Sequence, residues 1–344
     1  WNKEKKRGEH KRKCIGRLAP DGSVIVFEFR LLLLPNKYRH PKPDVVVASS
    51  LSLLSIFNGL VLKNRYKCRL IFEVRDIWPL TLTEEGGYSN KNLFILLLGW
   101  IEKIGYKRAD AIVGTMPNLG EHVKNILGYE KETFCIPMGV DISQITSSQS
   151  ISSEYKEKYF PPNKKIIGYA GTIGITNALD IFFECARLMK DDESIFFLVV
   201  GSGDLKESYV KKTKDLNNVG FAPKVPKEQV PSVLAQCSIL FLSAFPSKLW
   251  EYGQSLNKVI DYMLSGKPII CSLSGFQSMI NEADCGVFTT PGDVEELKNA
   301  ILAYVALSQS ERDSIGARGR KWIIENRQFP ILAKNYYSIM FPEL

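Results

Sequence analysis

Short apolar runs alternate with longer helical patterns along most of this chain, and the runs are apolar on both faces rather than at every second residue. Clear cases are DVVVAS (44–49), RLIFEV (69–74), DAIVG (110–114), KIIGYAG (165–171), IFFLVV (195–200) and ILFLS (239–243). A strand apolar on both faces has to be covered on both, and helices on each side of a parallel sheet do that. Further strands are expected at VIVFEF, TFCIP, NVGF, PIICS and GVFTT, and helices over 91–107, 177–190, 292–306 and 309–325.

The alternation breaks once, at ISQITSSQSISSEYKEKYFPPN (142–163), which is Ser-rich and ends in Pro-Pro. That composition suits a connection between domains. The fold class read here is α/β, with two Rossmann-like domains whose parallel sheets face a central cleft at the carboxyl ends of the strands. The front half shows no opening strand followed by a glycine-rich turn, and FEFRLLLLPN joins two segments without a turn. A first strand–loop–helix unit is therefore expected to be missing.

The formal charge of +8 suggests a polyanion partner until it is located. Residues 1–17 hold eight Lys or Arg against two Glu, a net of +6, and the remaining chain carries +2. Such an end is a solvated surface or a contact to anionic lipid or a polyanion. No basic stripe is interleaved with aromatics in the way single-strand binders use, so nucleic acid is not expected as a partner. No stretch reaches the ~20 apolar residues of a membrane span, and no apolar segment follows the opening WNKEKKRGEHKRK as a leader requires. Seven scattered cysteines without a C-x-x-C pair read as buried free thiols in a reducing cytoplasm. Three histidines far apart give no metal signature, and no metal is expected.

Three turns of the second half carry candidate chemistry. In the first, Gly171 and Gly174 let a diphosphate approach the backbone and Thr172 offers a hydroxyl. Gly201-Ser202-Gly203-Asp204 repeats the pattern after IFFLVV. Plain tight turns explain both equally. The third is Ser255-Leu256-Asn257-Lys258, which opens a helix whose apolar face is Val259, Ile260, Met263 and Leu264. A helix start with a lysine beside it suits an anion, and Asp261, one turn on, can accept from vicinal hydroxyls. An N-cap Ser255 and an exposed Lys258 are the plainer alternative. In the first half, Arg75-Asp76 ends a strand before Trp78-Pro79 and Glu84-Glu85, as cleft residues or as a structural ion pair.

FEVRDIWPLTLTEEGG, RADAIVGTMPNL, IPMGVD, GYAGTIG, NVGFAPKVPKEQVPSVLAQCSILFLS and EYGQSLNKVIDYMLSGKPII together resemble a retaining glycosyltransferase of family 4. More narrowly they are similar to the fucosamine-transferase-like subgroup of O-antigen and capsule synthesis. The resemblance implies the GT-B architecture, with an acceptor-side domain over 1–150, a nucleotide-sugar domain over 151–326, and a C-terminal helix over 327–344 returning to the first domain. It implies a nucleotide-diphosphate sugar donor, with a UDP-sugar favoured, a glycan or polyprenyl-diphosphate-linked acceptor, and neither cofactor nor metal. It also implies work in the cytoplasm, either free or peripheral at the inner face of the membrane.

By the same resemblance Gly171, Thr172 and Gly174 lie at the diphosphate, and Ser255, Asn257 and Lys258 hold phosphates or donor sugar. Asp261 takes the ribose, Val225 faces the base, and Arg75, Asp76 and Lys258 are the catalytic candidates. Met138-Gly139-Val140-Asp141 stands at the domain junction. Two departures stand out: Gly253 replaces the first of two glutamates, with Asp261 in place of the second, and Thr172 to Ala178 lacks the usual Arg–Lys pair. A sugar-nucleotide 2-epimerase on the same architecture, or a non-catalytic nucleotide-sugar-binding scaffold, are the alternative functions.

Overall fold

The structure is a computed structural model that describes residues 22–33, 42–50, 52–142, 148–253, 256–277 and 279–343. The chain forms two compact units, where the sequence suggested breaks at 150 and 326. One comprises Trp1–Pro137, Ser247–Gln254 and Ala333–Leu344, the other Met138–Pro246 and Ser255–Leu332.

The first unit is built on four parallel strands in the order β1 (Val45–Ser49), β2 (Arg69–Val74), β3 (Ala111–Gly114) and β4 (Thr133–Cys135). Helices Ser55–Tyr66, Leu93–Arg108 and Leu119–Leu127 make the crossovers. Ile56, Leu70, Phe72, Ile101 and Ile112 pack together as its core, and Leu249 and Tyr252 of the 247–254 segment join them. One polar cluster is buried with that core: Glu102 accepts from Tyr106 Oη at 3.0 Å and pairs with His122 Nε2 at 2.7 Å. Near the C-terminus, Ile339 packs on Ile71, Ala111 and Val113.

VIVFEF is not a strand. It lies in a helix, Gly22–Leu33, whose Glu28 is buried and accepts from Asn58 Nδ2 at 2.6 Å. Eleven residues without a turn signal after Gly22, ending in Arg-Leu-Leu-Leu, favour a helix that satisfies its own backbone over the local β-propensity of Val-Ile-Val.

Six parallel strands form the second unit's sheet: β5 (Lys165–Ala170), β6 (Ile195–Val200), β7 (Val219–Ala222), β8 (Ile239–Ser243), β9 (Ile269–Ser272) and β10 (Gly286–Thr289). Their order across the sheet is β10-β9-β8-β5-β6-β7. The chain therefore runs outward one way from β5 and the other way from β8. At such a reversal the loops leaving two adjacent strands diverge and open a crevice at their carboxyl ends. Phe182, Phe197 and Phe241 fill the core beneath, with the Phe182 and Phe241 rings stacked at 4.9 Å.

Candidate functional site

The second unit's candidate site is assembled at that reversal. β5 ends at Ala170, and the chain turns at Gly171 with φ of +154°. A Cβ there would stand 2.9 Å from Lys258 Cε and push the lysine aside, and an L side chain is strained at this φ in any case. The two glycine turns are locked to each other through backbone: Ile173 N donates to Ser202 O at 2.9 Å and Leu205 N to Ile173 O at 3.2 Å. A Cβ on Gly203 would meet Ile173 O at 2.3 Å, which fixes glycine at that position too.

The third element is the helix Asn257–Leu264. Its Tyr262 hydroxyl accepts from Ala170 N at 2.8 Å and so pins the helix to the end of β5. Leu256 is the N-cap and supplies no side-chain cap, which leaves the first turn's N–H groups available to an anion. Ser255 lies outside the described residues, and Asn257 is exposed at the helix start.

Lys258 reaches from this helix over β5. Its Nζ donates to Asn177 Oδ1 at 2.7 Å and to Tyr169 Oη at 2.9 Å, and lies 4.4 Å from the centre of the Tyr169 ring. Both hydrogen-bond partners are neutral, and burial pushes the Lys258 ammonium down to about 8. A cation held with neutral partners only gains strongly from an arriving phosphate.

Its partners are themselves fixed. Tyr169 Oη donates to Thr172 O at 2.6 Å, Asn177 Nδ2 donates to the same oxygen at 3.0 Å, and Ser243 Oγ at the end of β8 donates to Asn177 O at 2.7 Å. Burial also drives the Tyr169 phenol upward, so it remains a neutral donor and acceptor at physiological pH.

The structure thus brings Gly171, Thr172 and Lys258 together, with Gly174 opening the short 3₁₀ turn Ile175–Asn177 that delivers Asn177. Asp261 sits one turn into the Lys258 helix, where burial raises its pKa against the charge of Lys227. Val225 is half-buried in the segment after β7, two strands away from β5. Tyr169 and Asn177 escaped sequence reasoning: the first reads as one more residue of an apolar strand, the second as a helix start. A cavity of about 180 Å³ adjoins at the ends of β8 and β9, lined by Ala178, Asp180, Ser243, Phe245 and Ser272 among others. A larger hollow of about 660 Å³ around Arg187 and Thr290–Glu295 includes none of the residues that hold Lys258.

In the first unit, Arg75 and Asp76 follow β2 at its carboxyl end. Ser50 Oγ bridges the loops, accepting from Arg75 N at 3.0 Å and donating to Asp76 O at 3.3 Å. Arg75 stands 3.9 Å from Glu73 as well as beside Asp76. Loss of surrounding water raises the Asp76 carboxyl despite the Arg75 charge, and Glu85 is raised by burial and by Asp76 itself. Such a raised pair is a candidate for acid–base chemistry, and Glu85 had no role in the sequence reading. Among the described residues no three His, Cys, Asp or Glu side chains gather as a metal site would require. Five of the free thiols are buried as expected, whereas Cys135 is exposed because the short β4 leaves it at the strand's end; Cys14 lies outside the described residues.

Residues 164–306, the stretch that carries the Lys258 site, match the family model described as glycosyl transferases group 1. No curated protein matches the chain. Among solved structures, sucrose-phosphate synthase from Thermosynechococcus elongatus aligns over 91% of this chain and 76% of its own, with a TM-score of 0.68 at 17% identity. Anabaena Alr3699/HepE in complex with UDP aligns over 86% of this chain and 78% of its own, with a TM-score of 0.66 at 17% identity. OtsA aligns over 92% and 76%, with a TM-score of 0.67 at 12% identity. These likenesses establish the fold, which is that of GT-B glycosyltransferases.

Proposed function

We propose that the protein is a retaining, metal-independent glycosyltransferase. In this reading it moves a hexosyl or N-acetylhexosaminyl group from a UDP-sugar to a glycan or polyprenyl-diphosphate-linked acceptor during bacterial surface polysaccharide synthesis, as the fucosamine-transferase-like enzymes do. The observation that carries the reading is the Lys258 ammonium, held by Tyr169 and Asn177 beside Gly171 and an uncapped helix start. The HepE structures with UDP and with UDP-glucose support the choice of donor.

When the bond from the anomeric carbon to the diphosphate breaks, the electron pair leaves with the diphosphate and the sugar becomes oxocarbenium-like. Lys258 and the first-turn N–H groups of its helix stabilise the departing charge. The acceptor hydroxyl attacks from the same face and passes its proton to the leaving phosphate, which gives retention. Asp261 accepts from the ribose hydroxyls, Asn257 and Ser255 contact phosphate or donor sugar, and the backbone near Val225 meets the base. Thr172 and the Gly171 and Gly174 backbone line the diphosphate, while Asp76, steadied by Arg75, orients the acceptor. The reaction takes place in the cytoplasm, at the inner face of the membrane where a lipid-linked acceptor is found.

The test is product analysis with a panel of UDP-sugars and lipid-linked acceptors. Release of UDP coupled to an α-configured product, reduced about 10²-fold or more in Lys258→Ala, is the expected result. An epimerised nucleotide sugar formed without acceptor, or nucleotide binding without turnover, would overturn it.

A further inference from the structure

Three hydroxyl residues end adjacent strands at the same level of the second unit's sheet. Ser243 of β8 pairs in register with Ser272 of β9, and Ser272 with Thr289 of β10. Two residues earlier on each strand, Phe241, Ile270 and Val287 pack with Phe182 and Leu297 in the core. Residues two apart share a face of a sheet, so the three hydroxyls point to the side covered by the helices Asp180–Leu188 and Val294–Ala306. All three residues are buried, at 4%, 1% and 3% exposure.

Ser243 is satisfied, since its Oγ donates to the carbonyl oxygens of Asn177 and Ala178. Ser272 Oγ and Thr289 Oγ1 have no hydrogen-bond partner among the described residues. A buried hydroxyl left alone destabilises a fold, and here two stand side by side. The cavity of about 180 Å³ opens next to them, with Ser243 and Ser272 in its wall. Asp180 and Glu184 of the covering helix line it too, and Phe245, Pro246 and Pro291 supply flat apolar surface. Asp180 is held in place by Tyr209 Oη at 2.9 Å and Lys212 Nζ at 3.1 Å, which leaves each carboxylate oxygen a further lone pair.

We propose that this cavity binds a single neutral sugar residue, at a site separate from the nucleotide site. Hydroxyls that both donate and accept, carboxylates that accept from vicinal hydroxyls, and a flat apolar wall are together the complement of a pyranose ring. At about 30 Å³ per water the cavity has room for roughly six waters or one hexose, too little for a nucleoside diphosphate. The two carboxylates disfavour a phosphorylated sugar. Lys258, Gly171 and Asp261 are not in the wall, and the Lys258 helix packs instead on Gln309–Asn326, against the other face of the sheet. The site therefore rests on the second unit's geometry and not on the identity of the nucleotide donor. Glu184, Pro246 and Gly292 are exposed at its mouth, so the sugar enters either free or as the end residue of a glycan.

The test is saturation-transfer NMR of the full chain with glucose, galactose, mannose and N-acetylglucosamine, followed by titration of those that respond. A ligand of about a dozen heavy atoms should bind in the low-millimolar range. Ser272→Ala combined with Thr289→Val removes the two orphan hydroxyls and should weaken binding at least about tenfold, and Glu184→Gln should weaken it severalfold. Neither variant should lower Tm, because no hydrogen bond within the protein is lost, and both should keep the wild type's response to UDP. Glucose 6-phosphate should not bind. A trisaccharide ending in the preferred sugar that binds more tightly than the monosaccharide assigns the site to a glycan end, and equal affinity assigns it to the free sugar. No saturation transfer to any of the four sugars well above the millimolar range would overturn the proposal. So would binding unchanged in the double variant, or binding displaced by UDP, which would put the sugar in the nucleotide site.

Discussion

Replacing Lys258 by methionine should make the unliganded protein more stable while removing nucleotide binding. Burial lowers the Lys258 ammonium from an ordinary 10.5 to about 8, so at neutral pH the fold carries a charge it would prefer to lose. At 1.36 kcal/mol per unit of pKa the full penalty is about 3 kcal/mol, and water reaching the half-buried site reduces what is recovered to roughly 1–2 kcal/mol. Methionine keeps the length and apolar stem but leaves Asn177 Oδ1 and Tyr169 Oη without their donor, which keeps the gain at the lower end. Thermal and urea unfolding at pH 7 should show a rise in Tm of roughly 2–6 °C. The gain should shrink between pH 8 and 10.5, because over that window the wild type's unfolded state binds more protons than its folded state and its own stability climbs. Calorimetry with UDP should show affinity lower by about 10²-fold. A variant less stable than wild type that still binds UDP would refute the reasoning.

Gly171→Ala should weaken UDP binding at least about tenfold and lower stability by roughly 1–3 kcal/mol, since its Cβ meets Lys258 Cε at a φ that only glycine adopts freely; calorimetry and thermal unfolding check both. UDP affinity of the wild type should be flat below pH 8 and fall toward tenfold per pH unit above it, as the free site loses its ammonium, a profile absent from Lys258→Arg. Glu102→Ala should destabilise the chain by about 3–5 kcal/mol, because His122 and Tyr106 would remain buried without their shared acceptor. Glu102→Gln should cost much less, and urea unfolding separates the two.

The strands were legible because burial on both faces leaves a direct compositional mark, as in Ile239–Ser243, where every residue is buried. Lys258 was legible because a basic residue at a helix start is a local pattern. Asn177 and Tyr169 were not, since their roles exist only after β5, the 3₁₀ turn and a helix more than 80 residues later have met. Segment 247–254 was hidden for a similar reason: it lies in sequence between two elements of the second unit yet packs Leu249 and Tyr252 into the first. In VIVFEF, β-branched residues misled because propensity is weak beside the requirement that every backbone group find a partner.

Whether Lys258 marks a nucleotide-diphosphate site is tested most directly by thermal stabilisation of the wild type against UDP, GDP, ADP and dTDP at pH 7. A concentration-dependent rise in Tm with UDP, larger than with the other three and absent in Lys258→Met, is the expected result. No shift with any nucleotide, or an equal shift in the mutant, would contradict it.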